Sequence, residues 1–85
     1  MTLFDELVTA LQPTMRSVAP FILTRLLLRA GILDRATMTV AEFTSVRPVV
    51  EAGLRESMAP GDLASTLDRI DNVVRRHELA GAPSR

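Results

Sequence analysis

With 85 residues, 47% of them hydrophobic, ten acids balanced by ten arginines and no cysteine, the chain is sized for one small domain. These figures exclude disulfide staples, thiolate metal sites and cysteine nucleophiles, and they favour neither disorder nor a generic polyanion partner. A domain of this length buries only about 60–65% of its unfolded surface, so apolar surface beyond the capacity of its core bears directly on function.

In chain order, Thr2 is the N-cap of a first helix, with Asp5 three residues on near the positive end of the helix dipole. Leu3, Phe4, Leu7, Val8 and Leu11 fall on one stripe, and Pro13 is expected to end or bend the helix near Gln12. After a short turn across 14–19, the stretch from Pro20 to Ala30 carries Phe21, Ile22, Leu23, Leu26, Leu27 and Leu28. At 100° per residue these point almost all the way round a second helix and leave a narrow strip of Arg25 and Arg29. Such a helix needs cover on most sides, so it is expected to be central and most buried, over about 18–30. Gly31 is its C′ residue, with Ile32 and Leu33 folding back onto the last turn.

Thr39 and Glu42 form a capping box, and Met38 with Phe43 forms a hydrophobic staple, so the start of a third helix is specified twice. Its stripe is Phe43, Val46, Val50 and Leu54, with Gly53 alongside for close approach of another helix. Pro48 is expected to kink or split it near Val46. On the solvent face Arg47, Glu51 and Arg55 recur at intervals of four, an ion-pair row. A last helix opens near Pro60. Leu63, Leu67, Ile70, Val74 and His77 make its seam, and its acids come early and its bases late. The segment 82–85 reads as a frayed tail after a single helical domain over 1–81. With no period-two alternation of useful length, the fold class is all-α, a compact bundle of about four short helices.

The chemistry-bearing residues are few. His77 has no Cys-His or His-His spacing beside it and reads as structural. Asp68 and Asp71 lack a third converging acid, and Arg75 four residues after Asp71 points to a surface ion pair rather than a metal site. No nucleophile elbow and no glycine-rich phosphate loop occurs. No catalytic residue, metal or cofactor is therefore assigned. Arg75-Arg76-His77 is basic but flanked by Asp71 and Glu78, so no specific nucleic acid is expected. The all-arginine usage fits codon bias in a GC-rich genome. Its sharper reading is carboxylate or anion recognition, for which Arg25 and Arg29, one turn apart, are the candidates.

The N-terminus carries acids where a secretory leader would be positive, and the apolar stretch to Leu33 is interrupted by arginines, so a cytoplasmic protein is expected and a membrane span is not. The leading expectation is a non-enzymatic interaction module, an adaptor, small regulatory subunit or assembly factor. It would bury apolar helix faces against another protein or a second copy, through Leu23, Leu27, Leu67, Ile70 and Val74. The alternative is a small apolar-ligand or membrane-surface binder using Phe21 to Leu33. A nucleic-acid-binding helical domain or a small enzyme stands third.

Overall fold

The computed structural model of the chain describes residues 2–81, with side chains through Leu79, and the segment 82–85 lies outside the described residues. Among the described residues the only regular structure is helical, with no strand: α1 (Leu3–Met15), a 3-10 turn (Arg16–Val18), α2 (Ala19–Arg29), α3 (Val40–Ser57) and α4 (Pro60–Gly81). Because the 3-10 turn joins α1 to α2 without a non-helical residue, the backbone makes three uninterrupted helical stretches, of which the first is broken once. The break is at Arg16, whose φ of 54° places it in the left-handed region. The radius of gyration is 12.3 Å.

Local signals set the helix ends. Thr2 and Thr39 each accept a hydrogen bond from the backbone N–H three residues on (3.1 Å in both), while Asp5 and Glu42 accept from the N–H groups of the two caps. At the end of α2, Gly31 takes φ 98°, its N–H donates to the Leu28 carbonyl, and Ile32 N–H donates to Leu27 at 2.8 Å. This paired closure is a Schellman motif, and it turns Ile32 onto the core. Leu33 does not fold back with it and is 79% exposed.

Neither internal proline divides its helix. Pro13 sits inside α1 and Pro48 inside α3, contrary to the expected end near Gln12 and split near Val46. A helical proline deprives the carbonyl four residues earlier of its donor. Here those residues are Thr9 and Thr44, which lie on the exposed side of each helix, while Met15, Val50 and Leu54 hold the next turns in the core.

The core joins Leu3, Leu7, Leu11 and Met15 of α1 to Leu23, Leu26 and Leu27 of α2, Phe43, Val50 and Leu54 of α3, and Leu63, Ile70 and Val73 of α4. The broadest pairing is between α1 and α4. The second helix is therefore not the central one: α2 packs on α1 and α3 and buries one face, Ala19, Leu23, Leu26 and Leu27. Ile22 packs half-buried at the edge of that face, whereas Phe21 and Leu28 have no helix covering them. Gly53 is where α3 meets α2, since a Cβ built there would stand 2.1 Å from Leu26 Cδ2. On α4 the buried line is Leu63, Thr66, Ile70 and Val73, with Leu67 and Val74 on its edge.

Two outcomes are expected in urea unfolding. Thr39→Ala removes one half of the capping box and lowers stability by about 1 kcal/mol. Gly53→Ala lowers stability although alanine favours a helix by roughly 1 kcal/mol, because Leu26 must be displaced. In a double-mutant cycle, Leu26→Ala then costs less in the Gly53→Ala background than in the parent, and additive effects would show that the two residues do not compete for space.

Candidate functional site

The outer face of α2 is set by the same periodicity that buries its inner face. With Ala19, Leu23, Leu26 and Leu27 turned inward, Phe21, Arg25, Leu28 and Arg29 are left on the side away from the core. Phe21 is 74% exposed and Leu28 49%, and exposed Val18 precedes them. The arginines lie within this apolar surface rather than beyond it, since Phe21, Arg25 and Leu28 recur at intervals of four and three.

A groove runs along each flank of this ridge. One, of about 330 Å³, is bounded by Phe4 and Arg35 against Phe21, Thr24, Arg25 and Leu28. The Arg35 guanidinium lies 5.2 Å from the centre of the Phe4 ring, a cation–π contact that holds the loop after α2 against α1. The other, of about 310 Å³, runs between Arg25 and Arg29 of α2 and Gly53 and Glu56 of α3. Arg25 borders both grooves. Neither Arg25 nor Arg29 makes an ion pair among the described residues, and Glu56, the acid nearest in the groove lining, stands beyond ion-pair distance. The pair singled out in the sequence thus shares one open face.

The intermolecular candidates fall elsewhere. Leu23, Leu27 and Ile70 are each 1% exposed, and half-buried Leu67 and Val74 pack on the same core. Leu23, Leu27 and Ile70 are core residues of the single chain, because α1 and α3 cover the inner face of α2 and α1 covers α4, while Leu67 and Val74 stay partly exposed at the edge of that core. A charge at Leu27 would disrupt folding rather than probe docking.

A second polar constellation joins α1 to α4. Arg69 donates through Nε to the Ala10 carbonyl (3.0 Å) and through Nη2 to the hydroxyls of Thr14 (3.1 Å) and Thr66 (3.3 Å). Those hydroxyls are themselves 3.0 Å apart, and Thr66 is fully buried. Periodicity alone ranks a threonine and an arginine as surface, so this clasp was missed. Its signal was Thr66, placed three residues after Leu63 and four before Ile70, at core spacing. One turn along, Glu6 accepts from His77 Nε2 and lies 3.6 Å from Arg76 Nη2. Glu6, Arg69, Asn72 and Arg76 border a groove of about 460 Å³ between the two helices.

On the far side Arg47 pairs with Glu51 at 3.1 Å and with Asp71 across to α4. Asp71 therefore serves Arg47 and not Arg75, and Arg55 is left outside the expected row. The hydrogen bond that Arg47 donates to Asp71, opposed by partial burial and reinforced by Glu51, raises the pKa of Arg47 above its ordinary value. Its charge is permanent at any pH at which the chain folds.

As chemistry these arrangements bind and brace. A wider depression, about 880 Å³ between the start of α3 and the end of α4, contains His77, which is engaged by Glu6, and Ser45, whose Oγ donates to the Glu42 carbonyl. Among the described residues no group of three His, Asp or Glu side chains is placed to hold a metal, and no helix is long and apolar enough to cross a membrane. No family model matches the chain, and no match was found among the curated proteins or the solved structures.

The Arg69 clasp is expected to be worth measuring on its own. Arg69→Ala leaves the buried Thr66 hydroxyl with Thr14 alone and removes three donated bonds, so a loss of about 1–3 kcal/mol is expected. Thermal unfolding of this variant beside Arg75→Ala, an exposed arginine of the same helix, separates the clasp from a general effect of charge.

Proposed function

We propose that the chain is a non-enzymatic interaction module, of the adaptor, small-subunit or assembly-factor kind, and that its docking surface is the outer face of α2. The observation that carries this reading is Phe21, 74% exposed on the same open face as two arginines without ion pairs among the described residues. Isolated apolar residues on a surface need no explanation, but an aromatic, a leucine and two arginines grouped over flanking grooves have the composition of an interface centre. Aromatic and arginine side chains are also the residues on which binding energy concentrates.

The rest of the molecule supports a binding role by being committed elsewhere. His77 and Glu6 engage one another, Arg69 braces α1 against α4, and Arg47 ties α3 to α4. Structural duties take up these groups, whereas Phe21, Leu28, Arg25 and Arg29 have no duty within the chain.

The experiment is site-specific photo-crosslinking of the full chain in the cells that naturally produce it. A benzophenone side chain at position 21 or 28 is expected to give discrete adducts. The same group at Ser65, exposed on α4, is expected to give none of them. Equal labelling from all three positions, or no adduct from 21 and 28, would remove the docking surface from α2.

A further inference from the structure

We infer that the partner on this face is an acidic amphipathic helix of another protein, with a carboxylate set against Arg25; the inference rests on the docking role of α2 argued above. The first support is charge. From Leu7 to Leu33 the chain contains three arginines, Arg16, Arg25 and Arg29, and not one acid. Arg35 adds a further guanidinium at the edge of the groove that Phe4 and Phe21 line. The compensating acids of the neutral chain lie elsewhere, at the start of α1 and from Asp34 onward. Glu56 is the one acid among the residues lining the two grooves, against Arg25, Arg29 and Arg35, so the face is net basic in a molecule of zero net charge, and complementarity selects a partner surface carrying carboxylates.

The second support is the order of residues along the ridge. Phe21, Arg25 and Leu28 follow the four-three spacing with which one helix packs along another, and the arginine occupies the middle position. A partner helix meets that pattern directly: apolar side chains cover Phe21 and Leu28, and an aspartate or glutamate between them takes the planar guanidinium in paired hydrogen bonds.

A membrane surface meets it poorly. Interfacial helices keep an unbroken apolar face and hold their basic residues on the opposite, polar face, whereas here a guanidinium interrupts the apolar line and the remaining face of α2 is already in the core. A second copy docked symmetrically meets it worst, since the same arginines would confront one another. Length also bears on the match. Eleven residues of α2 span about 16 Å, so one partner helix lying along α2 engages both arginines and reaches the flanking grooves at Phe4 and at Gly53.

The test extends the crosslinking to the site of attachment. Adducts from position 21 are digested and the attached segment is identified by mass spectrometry in the parent chain, in Arg25→Glu with Arg29→Glu, and in Arg25→Gln. Both arginines are exposed and unpaired, so circular dichroism is expected to show the variants folded. The expected result is attachment within an amphipathic helical segment bearing Asp or Glu. The double reversal should lower adduct yield by about tenfold or more, Arg25→Gln should lower it less, and arginine at the mapped acid should restore the reversed variant.

An adduct whose yield ignores the double reversal, or whose attached segment lacks acids, overturns the acidic partner and leaves the docking face standing. So does a crosslinked homodimer with matching oligomers in light scattering. Co-sedimentation of the purified chain with phosphatidylcholine–phosphatidylglycerol vesicles, abolished by Phe21→Ser, would replace the helix with a lipid surface. Absence of any adduct from position 21 or 28 overturns both readings together.

Discussion

The pairing of α1 with α4 is the interaction on which the other positions depend. Leu7 and Leu11 meet Ile70 and Val73 in one core, and Arg69 fastens the two helices by binding a backbone carbonyl of α1 and a threonine hydroxyl from each helix. A half-buried arginine is costly unless its donors are satisfied, and here its partners include the buried Thr66 hydroxyl, which itself requires a hydrogen bond. The clasp solves both problems with one side chain. Glu6, held by His77 and Arg76, repeats the connection near the start of α1. With the ends of the chain's first and last helices fixed against each other, α2 and α3 close the remaining side.

That division leaves α2 at the edge of the bundle. It touches α1 behind it and α3 at Gly53, where the missing Cβ lets Leu26 seat against the α3 backbone. The approach fixes which face of α2 points inward, and so also which residues point out. Exposure of Phe21 and of the two arginines follows from packing that lies entirely on the other side of the helix. A residue that looks far from the ridge, Gly53, thus sets the register of the surface.

Most of this architecture was legible in the sequence, and the errors have a common origin. The N-cap at Thr2, the capping box at Thr39, the glycine closure at Gly31 and the close approach at Gly53 are local signals whose geometry hardly depends on the rest of the fold, and each is present, Asp5 in addition completing a second capping box at Thr2. The stripes of α1 and α3 also stand. Of the alternatives open at Pro13 and Pro48, an end or a bend and a kink or a split, the end and the split do not occur, because each proline is held in a continuous helix whose next turn packs in the core, which one-dimensional order does not state. Assigning α2 to the centre failed for a related reason: composition shows how much apolar surface a helix carries but not how many neighbours the chain can supply. Leu23, Leu27 and Ile70 were placed in an interface because a surplus was evident, yet periodicity could not say which part was surplus. The Arg69 clasp joins residues more than fifty positions apart, Arg69 to Ala10 and Thr14, and its one local signal, Thr66 at core spacing, does not point to those partners.

The surplus itself can be weighed. Full burial of a large apolar side chain is worth about 1.5–3 kcal/mol, so leaving Phe21 and Leu33 largely in water forgoes an amount comparable to a substantial part of the stability of a small domain, about 5–15 kcal/mol. A bundle optimised only for its own folding would place a polar residue at each of these positions at no cost to the core, because neither side chain contributes to it. The arginines point the same way. Arg47 and Arg69 bind groups of the chain, whereas Arg25 and Arg29, one turn apart on a helix whose inner face is fully used, hold donors aimed at nothing within the described residues. In the docking role proposed for this face, its unspent apolar area and its unspent directional hydrogen-bonding capacity would be met together by a surface of matching shape and opposite charge.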